Sequence, residues 1–412
     1  MRGVLNSDVA RDLLDLLGLL DEQRPDAGAV ARVFGRLWEG LALEDEGLLS
    51  DAWQSYLVGR VLDDENPFSL GAERGEIRPS VLAQARRDLR TLQEMFALDA
   101  TVLLGRAESA VPALSHIWVP WTNSEPAEES PRRTIARKLS AAEDWGACAE
   151  LLAGHHARHG AGPFGGHRAF HWREGRLRVV PRPDPVSLDG LVAYEREREP
   201  LITNTERFLA GLPAHHALLY GLPGTGKSST VKAVMNEYAG EGLRLVEVKK
   251  EDLAALPRVL EVLRGRGPRF VLFVDDLSFE EHEVEYKALK ALLEGSVEEP
   301  PENVRLYATS NRRNLIRETF SERGDGADDV HARDTMQEKL SLAARFGLRL
   351  TFPSPDQERY LAIVAGLARE RGLAVPTEHL RERALLWDRW HAGRSGRTAR
   401  QFVDELEAEQ QS

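Results

Sequence analysis

The segment Gly221-Leu222-Pro223-Gly224-Thr225-Gly226-Lys227-Ser228 has the residue types and spacing of a phosphate-binding loop, G-x-x-x-x-G-K-[ST]. A short apolar run, Leu218-Leu219-Tyr220, precedes it, and a helical pattern follows from Ser228 to Tyr238. Glycines let the backbone curl until its N–H groups face phosphate oxygens, and the helix N-terminus adds a favourable dipole. Lys227 is the residue type that reaches β- and γ-phosphates, and the Ser228 hydroxyl suits Mg²⁺. Gly221, Pro223, Gly224, Thr225, Gly226, Lys227, Ser228 and Ser229 are therefore the candidate phosphate-binding residues.

Two further strand ends supply polar groups. Arg269-Phe270-Val271-Leu272-Phe273-Val274-Asp275-Asp276 reads as a buried strand that delivers two carboxylates beside the loop. Asp275 is the candidate Mg²⁺ carboxylate, acting through water, and Asp276 the candidate that polarises an attacking water. A glutamate is usual at the second position; aspartate is one methylene shorter, which predicts slow hydrolysis or help from Glu280. Leu306-Tyr307-Ala308-Thr309-Ser310-Asn311 is a third such strand. Asn311 suits orientation of the lytic water, or a plain strand-end turn. Guanine readers carry [NT]-K-x-D after a later strand; none is present, so ATP is expected rather than GTP.

The elements needed to position these groups are legible in outline. From Leu188 the pattern alternates strand and helix, with strands at 218–220, 243–248, 270–274, 304–309 and 348–352. This predicts a doubly wound α/β P-loop domain with a parallel sheet over 181–353. Helical stretches at about 356–371, 377–391 and 398–410 suit a small helical lid over 354–412. Residues 1–180 read as a mostly helical N-terminal domain. Val9, Leu13, Leu16, Leu17 and Leu20 recur at helical spacing, as do Val30, Phe34, Leu37 and Trp38, and Ser80 is placed to cap a third helix. Trp38, Trp53, Trp118, Trp121, Trp145 and Trp172 are expected to fill that core, with Trp118 and Trp121 as the alternative partner surface. Residues 122–134 read as an exposed loop, and Phe170 to Val180 as a hairpin before the boundary at Pro181. His155, His156, His159, His167 and His171 cluster in a Gly-rich stretch; without a cysteine to complete a zinc pattern, a solvated loop is expected.

Composition narrows the class. Hydrophobic residues make up 42% and charged residues 29% of 412 residues, an ordinary globular balance. The formal net charge of -12 repels phosphate polymers, so nucleic acid is not the favoured partner. The single cysteine, Cys148, excludes an internal disulfide framework, and Trp145-Gly146-Ala147-Cys148 reads as helix packing. The first residues lack a leader pattern and no stretch is long enough to span a bilayer, which predicts a cytoplasmic protein.

Residues from about 188 to 405 resemble a bacterial family of AAA+ ATPases of unassigned function, domain of unknown function 815. The resemblance is carried by Gly190-Leu191-Val192-Ala193-Tyr194-Glu195, Asn204-Thr205-Glu206-Arg207-Phe208-Leu209-Ala210-Gly211-Leu212-Pro213, the phosphate loop, Asp275-Asp276-Leu277-Ser278-Phe279-Glu280, Ala308-Thr309-Ser310-Asn311-Arg312-Arg313, Arg345-Phe346-Gly347-Leu348 and Ser395-Gly396-Arg397-Thr398-Ala399-Arg400-Gln401-Phe402. Before it, only Asp64-Glu65-Asn66-Pro67-Phe68-Ser69 is similar. The resemblance implies that Gly190, Leu191 and Val192 line an adenine pocket. It also implies that Arg345 is an arginine finger entering a neighbouring subunit's site, and that Arg400 of the lid senses the γ-phosphate, with Arg397 as the alternative. An ATP-dependent homo-oligomer follows from the finger. Protein-threading relatives carry an aromatic–aliphatic–glycine loop after the second strand; here Lys249-Lys250-Glu251-Asp252-Leu253-Ala254-Ala255 offers no aromatic grip.

Three functions are compatible with these residues. The first is Mg²⁺-dependent ATP hydrolysis that drives remodelling of an unknown protein or nucleoprotein client chosen by the N-terminal domain. The second is an ATP-dependent assembly switch or scaffold with little turnover, for which Asp276 in place of glutamate argues. The third is a DNA-loading ATPase, which would use Lys249, Lys250, Arg312 or Arg313, with Arg317 nearby.

Overall fold

The computed structural model describes residues 1–412 apart from 45, 116, 124–128, 279–285, 295–299, 312–341, 392 and 412. The chain divides into two compact units, Met1–Gly166 with Gly265–Pro268, and His167–Arg264 with Arg269–Ser412.

The first unit is helical. Its elements are α1 (Asp8–Leu20), α2 (Ala27–Glu44), α3 (Ala52–Asp63), α4 (Pro67–Glu73), α5 (Pro79–Phe96), α6 (Ala100–Ala110), α7 (Pro131–Ser140), α8 (Ala149–His159) and the single turn α9 (Pro163–Gly166). Polar residues start several of them. Ser7 accepts from the N–H of Ala10, Asp99 from that of Val102, and Asn66 with Ser69 closes a reciprocal capping box on α4. Asp51 does two jobs: one oxygen caps α3 and the other accepts the Ala100 N–H at the start of α6. Helix α5 begins one residue before the expected Ser80 cap. Pro79 takes the first helical position, where its missing N–H costs nothing, and Arg78 precedes it without a side-chain cap.

Apolar positions at helical spacing close the core around Leu13, Leu16, Phe34, Leu37, Trp53 and Trp145. Phe34 stacks against Trp118 and Trp121, with ring centroids 4.0 and 4.9 Å away. Trp121 is thus packing in this unit and not an outward surface. Trp38, by contrast, is 40% exposed, and Trp172 belongs to the second unit. The expected solvated histidine loop is also corrected. His155, His156 and His159 lie on α8 and are buried, His155 and His159 with ring centroids 4.8 Å apart. Burial pushes the His156 imidazole below its ordinary pKa. Among the described residues no group of histidine, cysteine and carboxylate side chains is arranged to hold a metal ion.

Among the described residues the second unit is built on a seven-stranded sheet: β1 (Ala169–Arg173), β2 (Arg176–Val179), β3 (Ala217–Gly221), β4 (Leu243–Glu247), β5 (Arg269–Val274), β6 (Val304–Ser310) and β7 (Leu348–Phe352), in the order β2-β1-β4-β5-β6-β3-β7. The five expected strands are consecutive parallel neighbours, from β4 to β7 at one edge of the sheet. The hairpin was expected to close the N-terminal domain at residue 180. Instead β1 pairs in parallel with β4, Ala169 opposite Leu245, and β2 turns back through Glu174-Gly175, both at positive φ as a tight hairpin turn requires. The hairpin therefore extends the sheet, and the first unit stops at Gly166.

Helices α10 (Glu195–Leu209), α11 (Lys227–Tyr238), α12 (Leu256–Leu263) and α13 (Tyr286–Glu294) accompany the sheet. The lid consists of α14 (Gln357–Glu370), α15 (Thr377–Trp390) and α16 (Gly396–Gln411), which share a core of Tyr360, Val364, Phe402 and Leu406. Asn204 and Thr205 of α10 both bond the buried hydroxyl of Tyr307 on β6, at 3.1 and 2.8 Å, and Asn204 also caps the approach to β3 through the His215 backbone. That part of the family-like pattern is structural. No helix among the described residues is long and apolar enough to cross a membrane.

Candidate functional site

The phosphate loop runs from the end of β3 into α11. Glycine is required at two points by close approach. A Cβ on Gly221 would stand 2.1 Å from the Phe352 carbonyl oxygen on β7, and one on Gly224, at φ +77°, would meet Ser395 at 3.1 Å. The lid touches the loop at that second point, where the Gly396 N–H donates to the Gly224 carbonyl at 2.7 Å.

Lys227 opens α11 and is only 5% exposed. Its ammonium donates to the carbonyls of Gly221 and Leu222 at 2.9 Å each and to Asn311 Oδ1 at 3.1 Å. Burial lowers its pKa, and Asp276 and Asp275 oppose that shift.

Strand order brings the remaining groups together. β6 lies between β5 and β3, so its end sits between the carboxylates and the phosphate loop. Asp275 Oδ1 accepts from the hydroxyls of Ser228 and Thr309, both at 2.5 Å. Asp276 has φ +51°, a left-handed conformation uncommon outside glycine. Its N–H donates to Thr309 Oγ1 at 2.9 Å, and its carboxylate accepts from Asn311 Nδ2 at 2.6 Å. Asn311 therefore bridges Lys227 and Asp276.

These groups form one wall of a cavity of about 500 Å³. Its lining brings together Gly190, Leu191, Val192, Pro223, Gly224, Thr225, Gly226, Lys227, Ser228, Ser229, Asp275, Asp276, Asn311 and Arg400, all anticipated from the sequence, with Arg397 beside Arg400. Gly221, the last residue of β3, does not line it. Arg345 does not line it; it is half-buried just before Phe346, which is buried, and Gly347, where a Cβ would stand 2.6 Å from the His215 ring. Glu280, Arg312, Arg313 and Arg317 lie outside the described residues. Lys249 and Lys250 sit at the start of a 3-10 turn after β4.

Sequence reasoning missed Tyr194, Arg198, Thr309, Ile363 and Leu367. Thr309 had a signal: it is two residues before Asn311 at the end of β6, and the strand spacing of two favours one face. Ile363 and Leu367 had a weaker one, the i, i+4 spacing on a lid helix. The donor set fits a magnesium nucleotide: a hydroxyl and a carboxylate already within hydrogen-bond reach, a buried ammonium beside them, and an apolar slot at the opposite end.

Several known proteins are similar to part of this chain. The chain is 28% identical over 240 residues to Proteasome-activating nucleotidase of Methanocella arvoryzae, covering 52% of each. It is 26% identical over 148 residues to Replication factor C subunit 3 of Schizosaccharomyces pombe, covering 35% of this chain and 42% of that protein. The chain thus spans about half the length of the curated relatives it matches. Among solved structures, the RuvB Holliday junction branch migration motor of Thermotoga maritima matches with a TM-score of 0.37 and 19% identity, over 53% of this chain and 63% of that one. The family model of the protein of unknown function DUF815 matches residues 165–410, more than half the chain. With its phosphate loop, parallel sheet and helical lid, the chain belongs to the DUF815 family of AAA+ ATPase-like proteins.

Proposed function

We propose that this protein binds ATP with Mg²⁺ and hydrolyses it to drive conformational change in a protein or nucleoprotein client. The observation that carries the reading is the meeting of Lys227, Ser228, Asp275, Asp276, Thr309 and Asn311 at adjoining strand ends on one wall of a nucleotide-sized cavity. Mg²⁺ held by Ser228 and Asp275 would neutralise charge on the phosphate oxygens. Lys227 binds the β- and γ-phosphates once it exchanges its loop carbonyls for them. Asp276 accepts the proton of the attacking water, and Asn311 holds that water and the carboxylate in line. Gly190, Leu191 and Val192 with Ile363 and Leu367 enclose the adenine. Arg400, with Arg397 next to it, reports the γ-phosphate to the lid, and Arg345 acts on a neighbouring copy's site in an ATP-dependent homo-oligomer. The helical N-terminal unit selects the client. Steady-state phosphate release tests this: Mg²⁺-dependent turnover of ATP is expected, and none at any protein concentration would overturn hydrolysis.

One observation favours a second reading. The Asp276 carboxylate is bonded to Asn311 and its backbone is held at positive φ, so the water-activating group is restrained. In an assembly switch, ATP would drive association with turnover below about one per minute, many-fold under the usual 1–10³ s⁻¹. Light scattering with ATP, compared with phosphate release, separates the two. The net charge of -12 keeps DNA loading the least supported reading.

A further inference from the structure

One charged residue on the cavity wall is not used by the phosphate chemistry. Arg198 lines the cavity and is only 6% exposed. It sits in the first turn of α10, where a cation opposes the helix dipole. Burial pushes its guanidinium below the ordinary value even though Glu195, Glu197 and Asp189 pull the other way. Such a placement runs against both local preference and solvation, the kind of conflict expected where a site needs the residue.

Its contacts say what it holds. The guanidinium donates to the carbonyl of Leu191, in the middle of the loop 190–194. Glu195 lies 3.8 Å away, and the same Glu195 oxygen accepts the N–H of Ala193, which has φ +78°. At the two ends, the Gly190 N–H donates to Ser187 and the Tyr194 hydroxyl to the Pro353 carbonyl, at 3.1 and 2.7 Å. Val192 leans on the lid, where a Cβ on Gly366 would stand 2.3 Å from it. The loop is therefore pinned at both ends and on one side, and Arg198 fixes its central peptide from within the cavity.

We propose that Arg198 is a positioning residue for nucleotide-base selection: by holding the Leu191 carbonyl, it sets the direction of the Gly190–Val192 peptide groups that meet the base edge. The proposal rests on the reading that this cavity binds ATP. Adenine and guanine present opposite donor and acceptor patterns along the same edge. A backbone held in one orientation rejects the wrong pattern, because its polar groups would be left unpaired.

Calorimetric titration of ATP, GTP and inorganic tripolyphosphate, each with Mg²⁺, tests it in the parent, Arg198→Ala and Arg198→Lys. Arg198→Ala should lose about tenfold or more in ATP affinity, the usual scale for a charged hydrogen bond. Tripolyphosphate, which has no base, should bind as in the parent, and the ATP-over-GTP preference should shrink by the factor lost for ATP. Arg198→Lys keeps the charge without the planar fork and should fall between the two. If Arg198→Ala does not fold, the lysine variant carries the test. Equal losses for ATP and tripolyphosphate, or an unchanged ATP-to-GTP ratio, would overturn the proposal. A parent that binds tripolyphosphate but shows no base preference would overturn it too, while a parent that binds neither ATP nor tripolyphosphate overturns the nucleotide-site reading beneath it.

Discussion

At the scale of single residues, the backbone explains the aspartate at position 276. Its φ of +51° lies in a region where Asp and Asn are several-fold enriched over longer side chains. The turn is pinned from both sides: the N–H of Asp276 reaches Thr309 Oγ1 at 2.9 Å, and that of Leu277 reaches the Thr309 carbonyl at 2.7 Å. A glutamate would gain reach but sit less easily on this backbone. The prediction for the carboxylate itself is that Asp276→Asn keeps ATP affinity, because Lys227, Ser228 and the loop amides are untouched. Turnover should fall at least about tenfold, since general-base help is typically worth about 10²–10⁴. Phosphate release alongside calorimetric ATP binding reads both. Undiminished turnover would move the role to another group, with Glu280 the first candidate.

At the scale of elements, contiguity decided what the sequence could reveal. The phosphate loop, Asp275-Asp276 and Asn311 are short runs in which the chemistry and the strand–turn context are adjacent in the chain, so they were readable. The other end of the cavity was readable only at Gly190–Val192, through the family resemblance: Tyr194 caps α10, Arg198 lies within it, and Ile363 and Leu367 come from a lid helix far along the chain, joined only by packing. The hairpin was legible as a hairpin, but its parallel pairing with β4 depends on a partner strand some 75 residues later. The histidines of α8 were misjudged because local glycine content outweighed their helical spacing. His216, just before β3, carries a pH prediction. Its Nδ1 accepts the Leu306 N–H at 2.9 Å, and burial, with Arg305 and His215 nearby, lowers its pKa from 6.5 to about 4. Between those values the unfolded chain binds the proton and the folded chain does not. Stability should therefore fall as pH drops from 6.5 towards 4, by on the order of 3 kcal/mol, and level off below. Denaturant melts across this window should show a shallower slope for His216→Asn, which keeps an acceptor without the titration. An identical slope would contradict the assignment.

At the scale of the whole molecule, the question is whether one copy is sufficient. Arg345 stays off its own nucleotide cavity, while Arg397 and Arg400 line it. We predict that Arg345→Ala binds ATP normally but loses turnover, by on the order of 10³ if it serves as a finger in trans. Mixing it with Lys227→Ala should restore part of the activity, because one mixed interface pairs an intact loop with an intact finger. Specific activity that is independent of concentration, with no recovery on mixing, would favour an isolated switch. All of this depends on the phosphate loop binding ATP. The most direct measurement is calorimetric titration of Mg²⁺–ATP into the parent and Lys227→Ala, with thermal melts alongside. Removing the ammonium relieves its burial but leaves the Gly221 and Leu222 carbonyls and Asn311 Oδ1 without their donor, so the melts serve to establish that the alanine variant is folded. We predict saturable binding by the parent and its loss in a folded Lys227→Ala; equally tight binding by the two folded proteins would refute the phosphate-loop assignment.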